Sequence, residues 1–290
     1  MLFVKISDII TSVMKLEEWI TTSTKLLRNA GVSTPRLDAE ILASHVLQST
    51  RAQMLTHTER RLSIAQVKDL HSLLERRLSH EPISYITGKS EFFGRSFEVS
   101  SDTLQPRPET ETMIELALKQ HIPERSVIVD VGTGSGSIII TLSQELTGRH
   151  SFYATDISSS CISIASRNAT AYSADITFIE GDLLSPINKI VNKQSSCLIL
   201  ANLPYVPNHY VINEAARHEP DIAIYGGKDG LDLYRKLFDQ LDTITGPDSV
   251  TLLTESLPPQ HSDLAQLANS HGFELLETQD FIQVFTRRHS

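Results

Sequence analysis

From Ser126 onward, short apolar runs alternate with helical patterns, and this alternation limits the fold more than any other feature of the chain. The runs at 127–131, 152–156, 176–180, 197–201 and 250–255 read as strands. Most are rich in Val, Ile, Leu or Phe, and the stretches between them carry apolar residues at helical spacing. Strands alternating with helices predict an α/β domain with a parallel sheet covered by helices. The last two runs, 273–277 and 281–286, lie too close together for a crossover, so they are expected to pair antiparallel.

Up to about residue 80 the periodicity is helical. Leu16, Trp19, Ile20, Leu26, Leu27 and Ala30 recur at intervals of three and four and stop at Gly31. Ser33-Thr34-Pro35 then reads as a cap with proline in the first turn, ahead of Leu37, Ile41, Leu42 and Val46. Ser63 followed by Gln66 forms a capping box before Val67, Leu70, Leu73, Leu74 and Leu78. These segments predict a small helical domain over residues 1–80. Glu91-Phe92-Phe93 and Ser96-Phe97-Glu98-Val99, on either side of Gly94-Arg95, predict a β-hairpin in a linker of 81–105, which leaves 106–290 as the larger domain.

With 290 residues, 40% of them hydrophobic and 21% charged, the chain can bury a substantial core and lacks the profile of a disordered segment. No apolar run reaches the ~18 residues of a membrane span, and Asp8, Lys15, Glu17 and Glu18 interrupt any secretory leader. A cytoplasmic protein without membrane contact is expected. Cys161 and Cys197 stand apart, and the 11 histidines show no metal-ligand spacing, so neither redox chemistry nor a bound metal is expected. Net charge is −9, split as +2 over residues 1–85 and −11 over the rest. An acidic larger domain is poorly suited to gripping phosphate backbone, so stable DNA binding is not expected.

Two constellations carry chemistry. Asp130-Val131-Gly132-Thr133-Gly134-Ser135-Gly136 sits where the strand at 127–131 meets a helix, and its glycines let the backbone turn tightly and approach a ligand. Asp156, at the end of the next strand, is placed to accept hydrogen bonds from ribose hydroxyls. Gly132, Thr133, Gly134, Ser135, Gly136 and Asp156 together point to a nucleoside-containing cofactor at the carboxyl edge of the sheet. Ser137 stands where a dinucleotide fingerprint needs its third glycine, which weakens a nicotinamide reading.

The second constellation, Asn202-Leu203-Pro204-Tyr205, follows the strand at 197–201. An Asn oxygen and a neighbouring backbone carbonyl can accept both hydrogens of a planar NH₂ group, and a tyrosine ring can cover its face. Between the two, Gly181-Asp182-Leu183 offers a carboxylate for an adenine amino group and an apolar side chain for its ring, and it reads equally well as a surface turn. Pro106-Arg107-Pro108-Glu109-Thr110-Glu111 opens a helix and reads either as a functional polar segment or as a stiff linker. His209 and His218 flank the Asn loop and receive no role.

The combination resembles the HemK family of class I S-adenosylmethionine-dependent methyltransferases, which methylate the side-chain amide of a glutamine in peptide chain release factors. The likeness runs over nearly the whole chain: the helical N-terminal domain, the hairpin at 88–99, the Arg-Pro-Glu-Thr-Glu block, the glycine loop and Asn202 to Tyr205. It continues through His218-Glu219-Pro220 to Gly226-Gly227-Lys228-Asp229-Gly230-Leu231. The resemblance implies a Rossmann-like sheet of seven strands, with S-adenosyl-L-methionine, and its product S-adenosyl-L-homocysteine, held by Gly132, Thr133, Gly134, Ser135, Gly136, Asp156, Asp182, Leu183 and Asn202. Asn202, Leu203, Pro204 and Tyr205 become the catalytic and substrate-binding residues, and class I release factors become the protein substrate through their Gly-Gly-Gln motif. Leu203 departs from the family's usual Asn-Pro-Pro-Tyr; the carbonyl acceptor stays while some loop stiffness is lost. A DNA or RNA adenine N6 amino-methyltransferase would present the same kind of NH₂ acceptor, and a catalytically idle cofactor-binding scaffold is the alternative from another class.

Overall fold

The computed structural model describes residues 14–288. The expectations that fall on residues 1–13, namely the start of the helical domain and the interruption of a leader at Asp8, lie outside the described residues. The chain divides into two compact units, one of Met1–Gly88 with Asn213–His218 and the other of Lys89–Ile212 with Glu219–Ser290.

The smaller unit is helical: α1 (Leu16–Asn29), α2 (Pro35–Leu47), α3 (Arg51–Leu55), α4 (Ile64–Leu78) and α5 (Ile83–Thr87). α1 stops ahead of Gly31, whose φ of 83° is a left-handed conformation that suits glycine. The capping box at α4 is formed: Ser63 Oγ accepts from Gln66 N at 3.2 Å, and Gln66 Oε1 accepts from Ser63 N at 3.0 Å. Apolar stripes from α1, α2 and α4 meet in a core built on Trp19, Leu42, Leu70 and Leu74.

The larger unit begins with a hairpin of β1 (Lys89–Phe92) and β2 (Arg95–Glu98), then α6 (Glu111–Lys119) and β3 (Val127–Val131). Next come α7 (Ser137–Glu145), β4 (Ser151–Asp156), α8 (Ser159–Ala171), β5 (Ile176–Glu180), α9 (Asn188–Val191) and β6 (Ser196–Ala201). The chain closes with α10 (Asp221–Ile224), α11 (Asp232–Leu241), β7 (Ser249–Glu255), α12 (His261–Ser270), β8 (Glu274–Gln279) and β9 (Ile282–Arg288). The seven-stranded sheet runs β5-β4-β3-β6-β7-β9-β8. Its first five strands are parallel, while β9 is antiparallel to both β7 and β8. β3 and β6 are buried along their whole length because helices cover both faces of the sheet. Among the described residues no helix is long and apolar enough to cross a membrane.

The hairpin is not a free linker between units. Phe92 and Phe97 lie in the core of the larger unit with Met113 and Ile128. Phe93 N donates to Glu111 Oε1 at 2.8 Å, and Ser96 N donates to the Tyr172 hydroxyl at 2.9 Å. Two buried aromatic rings are enough to fasten so short a hairpin to the sheet domain, and residues 83–87 of the expected linker close the helical unit as α5.

Candidate active site

Sheet order and register bring distant residues into one row. Val131 of β3 is opposite Thr155 on one side and Ala201 on the other, and Ala201 is opposite Thr254 of β7. One residue further along each strand or its following loop stand Asp156, Gly132, Asn202 and Glu255. β3 and β6 are neighbours although the chain leaves β3 for β4 on the opposite side, so the crevice opens where strand order reverses, the usual ligand position in such sheets.

At β3 the chain turns through Gly132, Gly134 and Gly136, with φ of 74°, 56° and 79°. Their reasons differ. A Cβ on Gly136 would lie 3.0 Å from Ile140 and 3.1 Å from Ala165, so this glycine lets α7 and α8 pack closely. A Cβ on Gly134 would meet nothing within 4 Å, so the backbone there faces open space. Asp156 anchors the loop: Oδ2 accepts from Gly134 N and Oδ1 from Ser158 N, each at 2.9 Å. Burial pushes the Asp156 carboxyl up, against the pull of those two N–H groups. Beneath the loop, fully buried Asp130 accepts from the Thr133 hydroxyl at 2.6 Å, and burial raises its pKa to about 7.

At β6 the loop is braced from behind. The Tyr234 hydroxyl accepts from Leu203 N at 3.4 Å and contacts the Ala201 and Glu255 carbonyls. Gln260 Nε2 donates to the Tyr205 carbonyl at 2.8 Å and to the Asp229 carbonyl at 2.7 Å. A Cβ on Gly226 would sit 2.2 Å from the Pro204 carbonyl oxygen, and one on Gly230 would sit 2.0 Å from that of Tyr205. Only glycine lets the 226–230 segment lie this close, which explains the Gly-Gly-x-Asp-Gly pattern physically.

The Asn202 amide is oriented by a residue 92 positions earlier: Nδ2 donates to Thr110 Oγ1 at 3.1 Å. Among the described residues, neither Asn202 Oδ1 nor the Leu203 carbonyl takes a hydrogen bond. The Tyr205 hydroxyl donates to Glu255 Oε1 at 3.0 Å. Glu255 is buried, which pushes its carboxyl up, while the Thr110 and Tyr205 hydroxyls favour its charged form. Among the described residues its Oε2 is buried without a hydrogen-bond partner.

A cavity of about 380 Å³ opens over this row, within the range of small-molecule sites. Of the residues singled out in the sequence, Gly132, Thr133, Gly134, Ser135, Asp156, Asp182, Leu183, Asn202, Leu203 and Pro204 line it. Gly136 and Tyr205 do not: the first serves helix packing, and the second turns its hydroxyl to Glu255. Asp182 meets Lys236 Nζ at 2.5 Å, and Leu203 packs on Gly132, its Cδ2 lying 3.1 Å from where a Cβ there would stand.

The sequence reading assigned no role to Thr110, Arg107, Glu219 or Glu255. Arg107 lines the cavity and pairs at 2.5 Å with Glu219, which is buried and whose carboxyl burial pushes up. Among the described residues no cluster of His, Cys, Asp and Glu could hold a metal ion.

Comparison with known proteins agrees with this construction. Residues 18–88 match the PrmC N-terminal domain and residues 128–218 a methyltransferase domain. The chain is 34% identical over 249 residues to a release factor glutamine methyltransferase of Bacillus cereus, covering 78% of this chain and 86% of that one. It is 38% identical over 232 residues to the enzyme of that name from Koribacter versatilis, covering 79% and 81%. Among solved structures, the hMettl16 catalytic domain in complex with MAT2A 3'UTR hairpin 1 is similar, with a TM-score of 0.51 at 13% identity over 77% of this chain and 80% of that one. That likeness concerns the fold alone. With relatives at this identity over four fifths of their length, and with both constellations set on one crevice, the chain belongs to the release factor glutamine methyltransferase family.

Proposed function

We propose that the protein transfers a methyl group from S-adenosyl-L-methionine to the side-chain amide nitrogen of the glutamine in the Gly-Gly-Gln motif of class I release factors, in the cytoplasm. The observation that carries this reading is the polarity of the Asn202 amide. Because Nδ2 is bound to Thr110, Oδ1 is the end available to the cavity that Asn202 lines. With the Leu203 carbonyl it makes a pair of unengaged acceptors matching the two hydrogens of a planar NH₂.

The residues present fit the cofactor. Open space in front of Gly134 admits a ligand against the backbone. Asp156 spends one lone pair on each oxygen on backbone N–H groups and keeps others for ribose hydroxyls. Asp182 and Leu183 are available for the adenine, and S-adenosyl-L-methionine supplies the methyl group in activated form.

The protein's own part is positioning. An amide nitrogen is a weak nucleophile because its lone pair is delocalised into the carbonyl. Two fixed acceptors hold that nitrogen in one orientation and favour the positive charge that grows on it. Orientation of this kind is worth up to ~7–11 kcal/mol, enough for a site with no strong base in the Asn202 to Tyr205 segment. Pro204 and the glycines behind it keep the acceptors still, and Tyr205 ties the loop to Glu255. A lone glutamine offers too little surface to select one polypeptide, so the helical unit is assigned to docking the release factor.

The reading is tested by supplying labelled S-adenosyl-L-methionine with purified release factor and, in parallel, with DNA. Label is expected in the release factor alone; label in DNA alone would overturn the reading.

A further inference from the structure

We propose that Arg107, steered by the buried carboxylate of Glu219, receives the carboxylate at the amino-acid end of S-adenosyl-L-methionine. This assignment rests on the methyl-transfer reading above and names what holds the part of the cofactor that Asp156, Asp182 and Leu183 leave unaccounted for.

The charges of the cofactor set the requirement. Beyond its adenosine, S-adenosyl-L-methionine carries a sulfonium, an ammonium and a carboxylate. Asp102, Asp156 and Asp182 line the cavity, and only the last of these has a basic partner among the described residues, Lys236. Such a lining suits the two positive groups and repels the carboxylate, which needs a cation or N–H donors of its own. Among the described residues that line the cavity, Arg107 is the only Lys or Arg. It also stands at the end where the carboxylate is expected. Thr110 N donates to the Arg107 carbonyl at 3.1 Å, and Thr110 Oγ1 accepts from Asn202 Nδ2 at 3.1 Å. With the ribose at Asp156 and the methyl group at the acceptor beside Asn202, the amino-acid tail, joined to the same sulfur, ends in the part of the cavity near Asn202.

Sequence and packing together fix the guanidinium. Pro106 and Pro108 flank Arg107, and a residue ahead of proline is confined to extended backbone; Arg107 has φ −99° and ψ 143°. Glu219 then holds the side chain. Its Oε2 accepts from Arg107 Nη2 at 2.5 Å, and its side chain is 1% exposed against 36% for the arginine. One nitrogen of the planar fork is thereby tied to the protein, while Nε and Nη1 take no hydrogen-bond partner among the described residues. A loose arginine loses side-chain freedom when it binds a ligand, and one already tied to a buried carboxylate has lost most of it beforehand. Both residues belong to the larger unit, so the pair is set within one body with the cavity it faces. The Pro-Arg-Pro pattern, which reads as a stiff linker, thus becomes a rigid mount for a cation.

Calorimetry with two ligands tests the assignment. S-adenosyl-L-homocysteine has the carboxylate, and its decarboxylated analogue keeps the adenosine, the sulfur and the amine. Arg107→Gln is expected to weaken the first by about 10- to 100-fold and to leave the second within about threefold of wild type. Glu219→Gln, which loosens the arginine without removing it, should weaken the first by about 3- to 10-fold, spare the second, and add nothing once Arg107 is replaced. Arg107→Lys keeps the charge without the fork and should fall between wild type and Arg107→Gln.

Equal losses for both ligands in a folded Arg107→Gln protein, or no loss for either, would overturn the assignment. Unchanged affinity for S-adenosyl-L-homocysteine joined to a raised KM for release factor would overturn it as well, because the guanidinium would then serve the polypeptide. If Arg107→Gln fails to fold, the same comparison in Arg107→Lys decides, and a loss that ignores the ligand carboxylate overturns the assignment. A wild-type protein that binds S-adenosyl-L-homocysteine and leaves release factor unmethylated would defeat the functional reading, and the two ligands would still decide the role of Arg107.

Discussion

Replacing Asn202 with alanine separates chemistry from folding more cleanly than any other change. Among the described residues the side chain makes one hydrogen bond, to Thr110 at 3.1 Å, and it lines the cavity instead of filling the core. Loss of one such bond lowers stability by about 0.5–1.5 kcal/mol. The catalytic loss should be larger. Removing one preorganised polar group from a site typically costs 10²–10³ in turnover, or about 2.7–4 kcal/mol in the barrier. Asn202→Ala is therefore expected to unfold at slightly lower denaturant, to bind S-adenosyl-L-homocysteine nearly as wild type does, and to methylate release factor some hundredfold more slowly. Single-turnover kinetics, calorimetry and a urea titration on one preparation supply all three values. Near-normal turnover would mean that Asn202 is only a turn residue, and a lost turnover matched by lost cofactor affinity would mean that it acts on the wrong ligand.

Asp156→Ala should weaken S-adenosyl-L-homocysteine binding by about 1.5–3 kcal/mol, since it removes a charged acceptor and loosens Gly134; unchanged affinity by calorimetry in a folded protein would defeat that role. Leu203→Pro should be tolerated, because the proposed acceptor is the carbonyl and the lost N–H makes only a 3.4 Å contact with Tyr234; complete inactivation would show that the leucine conformation is essential. Asp130 yields a pH dependence. Its folded pKa of about 7 exceeds the ordinary 3.8, so between those values the folded protein holds a proton that the unfolded chain has lost. Stability from this group therefore falls as pH rises from about 4 to 7, by on the order of 4 kcal/mol, and is level above. Asp130→Asn should lose less stability than wild type between pH 5 and pH 8 in urea titrations; equal losses would contradict the assignment.

Elements were legible in the sequence where local periodicity decides them, and contacts between them were not. The run at 176–180 became β5 with the same ends, because apolar residues bounded by turns leave little freedom. The final antiparallel pair followed from its short connection. Sheet order, by contrast, is a property of packing, and with it went the row that places Glu255 beside Asn202. The sequence marks Glu255 only as a strand end, although an acidic residue closing a largely buried strand at the carboxyl edge is a usable signal. Thr110 stood in a segment whose role stayed open, and nothing local reveals a partner 92 residues away. The partner of the Tyr205 hydroxyl, the buried Glu255 carboxylate, is likewise a matter of packing, 50 residues away in the chain.

Mass spectrometry of a release factor digested after incubation with the protein and S-adenosyl-L-methionine bears most directly on the central claim. The account predicts a gain of one methyl group on the peptide containing Gly-Gly-Gln, located on the glutamine side chain and abolished when that glutamine is replaced. An unmodified glutamine after exhaustive incubation, beside N6-methyladenine in DNA treated in parallel, would contradict it.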